Sequence, residues 1–416
     1  ITATVPTLVQ TAVNLGVTND QVNLIKAGTV YTTDDSGDVM LDIVNNNRDN
    51  YGCIEVSVSR EGTAAQTYNG STSSAFVTDK TFTITPTNTI GSGNVDVTFY
   101  FSEAEISGWE SATGVSRNDM YAHREGSNDI VALTNTGFSN DVSFMGNFTG
   151  LAGTYYFGPE SAFRVRLSPK VYLQGAALNP NVGEESLMRD DLRVAGLIPT
   201  TSPYDSATCD ASVFNVTGTD AIVDWILIEL RDAITNTTVI ASQSALLQRD
   251  GDIVDTDGVS SVTLNVSGRD AYVVIKHRNH LGVMTNALVS LTATASIVDF
   301  TNVATPITFG TDAQTDFGMQ TGVLGMWSGD ATGNGLLNYL GAQSDVPSMR
   351  TQVFNDPNNS VFGGPPVSTY LSLGYNPTDA DMDGYTVYSG PTTDVLIIRN
   401  NIFNNPSNSV FGGQPV

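Results

Sequence analysis

"VDVTFYF", residues 95–101, alternates so that Val95, Val97, Phe99 and Phe101 fall on one face. A period of two among β-branched and aromatic residues predicts a strand with one face buried. Runs of the same character recur as "VMLDIV" (39–44), "CIEVSVS" (53–59), "TFTITPT" (81–87) and "TYYFG" (154–158), separated by Asn, Asp and Gly turns. That spacing is the signature of a β-sandwich, and a first domain is expected over 1–162. One helical signal interrupts it: "SEAEISGWESATG" (102–114) offers Ser102 as an N-cap, with Glu103 and Glu105 in the first turn.

A second series of strand-like runs, "FRVRLSPKVYLQG" (163–175), "IVDWILIEL" (222–230), "VIASQSALLQ" (239–248), "SVTLNVSG" (261–268) and "AYVVIKH" (271–277), predicts another sandwich over 163–300. Within it, "QRDGDIVDTDG" (248–258) crowds Asp250, Asp252, Asp255 and Asp257. Asp250-Gly251 between two strands is a hairpin signal, so a turn is expected there rather than a metal loop. The pattern loosens over 301–326, which reads as a linker.

The last ninety residues are a duplication. Asp330, Gly335, Tyr339, Gly341, Asp345 and Arg350 recur 49 positions later as Asp379, Gly384, Tyr388, Gly390, Asp394 and Arg399, and "NNSVFGGPPV" (358–367) recurs as "SNSVFGGQPV" (407–416). Two copies of one loop-and-helix unit, about 328–367 and 377–416, make up a module over 327–416. In copy two, "DADMDG" places Asp379, Asp381 and Asp383 at loop positions one, three and five, Gly384 at the sharp turn and the Tyr385 carbonyl at seven. Alternate carboxylates converge when a loop winds around one ion, and Asp394 can close the shell from the start of the next helix. Copy one repeats this with fewer charges: Asp330, Thr332, Asn334, the Leu336 carbonyl and Asp345. Calcium is the expected cation, in a structural role.

The chain carries a formal charge of −25, with lysine only at Lys26, Lys80, Lys170 and Lys276. Such a surface repels phosphate backbones and anionic lipid, so nucleic-acid partners are not expected, and no apolar run reaches the length of a membrane span. Cys53 and Cys209, far apart, form neither a zinc cluster nor a redox pair. Low lysine with abundant Thr, Ser, Asn and Gly suits a secreted or surface-exposed protein, and the start at Ile1 without a charged-then-apolar leader fits a processed chain.

The paired "D-x-D/N-x-D/N-G" loops, each leading into a short helix, resemble the duplicated calcium-binding repeats of dockerin modules. More broadly, "LSPKVYLQGA" (167–176), "MRDDLRVAGLIPTTSPYD" (188–205), "DAIVDWILIELRD" (220–232), "SALLQRDGDIVDTDG" (244–258) and "IKHRNHLGVMT" (275–285) resemble the C-terminal region of large surface and secreted proteins of Bacteroidota. "NYGCIEVSVSREGT" and the segment through "VTFYFSEAEISGWESATG" resemble another sandwich module of that class. The resemblance implies tandem Ig-like sandwiches followed by a dockerin-like module, export by type IX secretion and a role at or beyond the cell surface. "YDSA" (204–207) looks like the Asp-Ser-small pattern of O-glycosylation in these bacteria, which points to Ser206.

Nothing marks an active site. The histidines are His123, His277 and His280, and "KHRNH" (276–280) places the last two on opposite faces of a strand if the strand continues. Nucleophile-elbow, zincin, P-loop and dinucleotide signatures are missing. An intramolecular crosslink through Lys170 or Lys276 is conceivable from their strand context. The expected function is therefore non-enzymatic: a surface-fibre subunit or adhesin that self-associates or holds a surface glycan or protein. "ITATV", with Ile1, Ala3 and Val5 on one face, could add to a neighbouring subunit's sheet, though pairing within its own domain is the simpler expectation. The alternative is an accessory module of a secreted hydrolase, with Trp109 or Trp327 stacking on sugar.

Overall fold

The computed structural model describes the chain except residues 1–7, 11–16, 25–26, 60–62, 69–75, 91, 128, 342–343, 361–364 and 409–416. The chain is mainly β and divides into two compact units, Ile1–Val165 with Asn265–Arg269, and Arg166–Leu264 with Asp270–Val416. No helix among the described residues is long and apolar enough to cross a membrane.

In the first unit, one antiparallel sheet runs in the order Val17–Leu24, Gly52–Ser59, Thr81–Pro86, Gly153–Gly158, Tyr121–Arg124, Ile130–Ala132. A second runs Thr134–Asn135, Val142–Phe148, Val95–Phe101, Val39–Asn45, Gly28–Thr33. Their apolar faces share one core. Val95, Val97, Phe99 and Phe101 are all fully buried there, as their alternation requires. Phe99 packs on Phe157 at 4.8 Å between centroids and on Phe82 at 5.2 Å, the edge-on and tilted contacts favoured by ring quadrupoles.

The helix Glu103–Thr113 follows the central strand directly. Ser102 accepts from the Glu105 N–H at 3.3 Å and the Glu105 carboxylate accepts from the Ser102 N–H at 2.6 Å, a reciprocal capping box; Gly114, at φ 72°, ends the helix. Lys80 is the one lysine wholly enclosed among those described. Its ammonium donates to the carbonyls of Gln10 (3.1 Å) and Tyr100 (2.9 Å), faces Glu105 at 3.6 Å and lies 5.3 Å from the Phe82 and Phe101 rings. Burial of that charge is tolerated because it is paired on all these sides.

In the second unit, a mostly antiparallel sheet takes the order Ile253–Val254, Val239–Gln248, Ile222–Arg231, Arg269–His277, His280–Met284, with Val289–Leu291 also on Arg269–His277. A smaller sheet joins Val262–Leu264, Val165–Lys170 and Ser296–Asp299, the last two parallel. Asp250 and Gly251 do form a tight turn. Asp250 accepts from the Asp252 N–H, and Asp257 from Val259, Ser260 and the Ser260 hydroxyl. Gly251, at φ 94°, is obligatory, because a Cβ there would meet the Tyr172 ring at 2.8 Å. Residues 301–326 carry no regular strand or helix yet are tied down by bridges such as Asn302 to Val323 and Thr315 to Gly325.

The repeats contribute the helices Val346–Asn355 and Asp394–Asn404 and a two-stranded sheet, Leu371–Leu373 with Tyr385–Val387. Ala331 with Ala380 and Met349 with Ile398, each pair 49 positions apart, meet in one small core around Trp327 and Leu337.

Because Phe99 sits where four other rings converge, Phe99→Ala is expected to lower the stability of the first unit by about 3–5 kcal/mol. Ser102→Ala is expected to cost about 1 kcal/mol through loss of the cap. Urea unfolding of both variants, read against wild type, measures the ranking.

Candidate metal centre

Loop two, Asp379 to Gly384, leads directly into the strand Tyr385–Val387. Asp379 Oδ1 accepts from the Asp383 N–H (3.2 Å) and Oδ2 from the Gly384 N–H (2.9 Å), so the first carboxylate caps the loop's own backbone. Asp383 Oδ1 accepts from Tyr385 N–H at 2.8 Å. Asp394, at the helix start, reaches back: Oδ1 accepts from Ala380 N–H, and Oδ2 from Val387 N–H at 2.6 Å. Asp379 and Asp394, held by these bonds, come together with Asp381, with ligand oxygens all within 4.8 Å of one another. Two oxygens held by one calcium at about 2.3–2.6 Å can lie at most about 5 Å apart. The spacing and the all-oxygen donor set therefore fit a hard divalent cation.

Electrostatics point the same way. Burial and the neighbouring Asp394 and Asp381 raise the Asp379 carboxyl well above its ordinary range, and burial with Asp381 does the same to Asp394. Asp381 is pushed up to about 6 by burial and by Asp383. A cation would relieve that repulsion; the nearby guanidiniums are largely engaged elsewhere. Arg189 donates to Asp191 and to the carbonyls of Leu178, Gly175 and Asp381, and Arg278 to Asp224 and the Asn376 carbonyl. Met382, at φ 59°, holds the left-handed conformation that costs a side chain about 1–2 kcal/mol. Its burial at 2% exposure keeps it in place.

In loop one Asp330 makes the same pair of bonds, from Asn334 N–H (3.0 Å) and Gly335 N–H (2.8 Å), and Asp345 accepts from Asn338 N–H (2.9 Å). Thr332 replaces the second acid, its hydroxyl donating to Asp345 Oδ1 at 3.0 Å. Asn334 Oδ1 accepts from Leu336 N–H at 2.9 Å, the role of Asp383 in loop two. Among the described residues, only loop two brings three acids together.

Both loops hang on one hairpin that the sequence reading treated as a strand end. The strand stops at His277, Arg278 and Asn279 turn, and His280 opens the next strand, so His277 and His280 pair across the hairpin instead of lying on opposite faces. The Asn279 carbonyl accepts from Gly329 N–H (2.9 Å) and Asp330 N–H (3.1 Å) at the head of loop one. Its side-chain amide donates to the Asp379 carbonyl (2.6 Å) at the head of loop two. Ser328 Oγ donates to the Ala380 carbonyl, and Asn401 Nδ2 to the Ser328 carbonyl at 2.8 Å. Gly175 is required here, since a Cβ would lie 2.2 Å from the Ala380 carbonyl.

The hairpin is braced from behind by Asp224, fully buried in the strand Ile222–Arg231. It accepts from Arg278 Nε (3.0 Å), the Tyr375 hydroxyl and Trp225 N–H (2.7 Å), with His277 Nε2 at 3.1 Å. Burial pushes this carboxyl up, but Arg278 and His277 outweigh it and hold it down to about 2. The proton positions follow. His280 Nε2 accepts from Gly175 N–H (3.1 Å), so its proton is on Nδ1, facing Asn279 Oδ1 (2.7 Å) and His277 Nδ1 (2.9 Å). His277 then carries its proton on Nε2 toward Asp224. Both rings are neutral, and burial lowers the pKa of each.

Asp224 was missed, and the signal that could have found it is an acid inside the apolar run "IVDWILIEL", whereas Asn279, Gly175 and Ser328 carry no local signal. Trp109 and Trp327, considered above for sugar stacking, are at 0% and 1% exposure, with indole N–H groups on the carbonyls of Phe76 and Asp312. Lys170 and Lys276 form ion pairs with Asp252 and Glu229. Cys53 and Cys209 are free thiols. Ser206 is exposed in a bend between the bridged Thr201 and Thr208. Ile1, Ala3 and Val5 lie outside the described residues. Compared with known proteins, the chain matches no family model, and no significant match was found among curated proteins or solved structures.

A histidine pKa lowered by folding means the unfolded chain takes up protons first, so the stability held by His277 and His280 is complete above about pH 6.5 and lost as pH falls below it. The raised Asp379, Asp381 and Asp394 carboxyls take up protons first in the folded chain and act in the opposite sense over pH 7.5 to 5, so the histidine share is read as a difference between two proteins that both keep those acids. By calorimetry, His280→Gln, which can still accept from Gly175 without titrating, is expected to lose less stability relative to its value at pH 7.5 than wild type does as pH falls to 5.

Proposed function

We propose that this chain is a non-enzymatic extracellular structural or adhesive protein, the subunit of a surface fibre or an adhesin, in which calcium at the repeat pair stiffens the C-terminal region. The observation that carries the reading is the convergence of Asp379, Asp381 and Asp394 within one loop of a tandem duplication. Their carboxylates, with main-chain oxygens of the loop, would hold the ion, which supplies charge neutralisation and a fixed point for the helix Asp394–Asn404. Mutual repulsion of three enclosed acids opposes folding of the loop, so binding and folding are linked.

The β-rich architecture supports a building-block role, and the Ig-like and dockerin-like assignments, with secretion by the type IX route and a glycan on Ser206, belong to the same proposal. His277 and His280 favour it too, because both are enclosed and committed to the Asp224 network, not turned to a substrate. The accessory-module alternative loses its stacking residues with the burial of Trp109 and Trp327.

Calcium at about one hundred times its dissociation constant should stabilise the second unit by about 2.7 kcal/mol, a rise of roughly 5–10 °C in its thermal midpoint. Asp381→Asn is expected to abolish most of that rise. Calorimetry with calcium and with chelator measures it, and an unchanged midpoint in wild type would remove the metal from the proposal. Electron microscopy of the protein with calcium tests the assembly: regular filaments are expected of a fibre subunit, isolated particles of an adhesin.

A further inference from the structure

The two loops share a backbone and differ in what fills it. Asn334 and Gly335 donate to Asp330 as Asp383 and Gly384 donate to Asp379, and Asn338 donates to Asp345 as Val387 donates to Asp394. The correspondence extends past the loops. Asn359 Nδ2 reaches the Val353 carbonyl at 2.7 Å as Asn408 Nδ2 reaches that of Ile402 at 2.6 Å, and Arg350 lies over Phe354 as Arg399 lies over Phe403.

At position five both loops place an acceptor for the N–H two residues on, Asn334 in loop one and Asp383 in loop two. Position three is different. Asp381 brings a third carboxylate to within 4.8 Å of the other two. Thr332 brings a hydroxyl, 3.0 Å from Asp345 Oδ1 and 3.5 Å from Asp330 Oδ1, while its N–H donates to Asp345 Oδ1 at 3.1 Å. A hydroxyl is neutral and can donate a proton where a carboxylate only accepts. Both closing acids accept main-chain N–H groups of their loops, and in loop one Asp345 takes the Thr332 hydroxyl in addition. The left-handed fourth position is relaxed too, with Gly333 at φ 67° where loop two has Met382.

We propose that the repeat pair takes one calcium ion, at loop two, and that in loop one the Thr332 side chain does the bridging an ion would do, so that loop one is a permanently closed copy of the site. The inference rests on the calcium reading above and narrows it from two sites to one.

Native mass spectrometry of the full chain titrated with calcium tests it. Wild type and Thr332→Ala are expected to add one ion, Asp381→Asn none, and Thr332→Asp, with its third carboxylate restored, two. Two ions on wild type would overturn the proposal while leaving the calcium reading intact. So would a single ion that survives Asp381→Asn and disappears in Thr332→Ala. No ion on wild type would overturn both.

Discussion

Asn279 is the residue on which the C-terminal half of the second unit depends. It sits at the tip of a two-residue hairpin and serves both repeats at once, its carbonyl taking the N–H groups that open loop one and its side chain holding the carbonyl that opens loop two. A buried amide of this kind has few substitutes. Asp would lose the donor, and an apolar residue would orphan the enclosed Asp379 carbonyl at a cost of about 1–3 kcal/mol, the main-chain carbonyl at loop one staying in place. The hairpin can do this because Asp224 fixes Arg278 and His277 behind it, so the polar groups at the centre of the unit form a connected set.

That geometry gives the duplication a physical meaning. Two copies of a loop-and-helix unit are not strung in line; they meet through Ala331 and Ala380, Met349 and Ile398, with Ser328 and Asn401 crossing between them. Loop two, where three acids crowd together, is joined to the residue before loop one by one hydrogen bond, from Ser328 Oγ to the Ala380 carbonyl. Loop two carries the strain, in repelling carboxylates and in a left-handed Met382; loop one carries the same fold with Thr332 and Gly333 in their places.

Much of this was legible in the sequence because it was periodic. The alternation of "VDVTFYF" named four residues that are all buried, and Ser102 with Glu105 named a helix start that has both halves of a capping box. The 49-residue offset located Asp330, Asp345, Asp379 and Asp394, and the alternate spacing in "DADMDG" added Asp381 and Asp383. What the sequence withheld depends on contacts between distant segments. His277 and His280 share a face only because the strand ends between them, and Gly175 matters only because Ala380 is packed against it, 205 positions away. Trp109 and Trp327 looked like free aromatic surface because local pattern does not show what covers a ring.

The central claim is that loop two closes around a cation while the hairpin and loop one stand ready made. Amide hydrogen exchange across residues 327–408, with calcium and with chelator, tests it most directly. The account predicts that calcium slows exchange at Ala380, Asp383, Gly384 and Val387 and leaves Asn334, Gly335 and Asn338 nearly unchanged. Equal protection of both loops by calcium, or none in either, would contradict it.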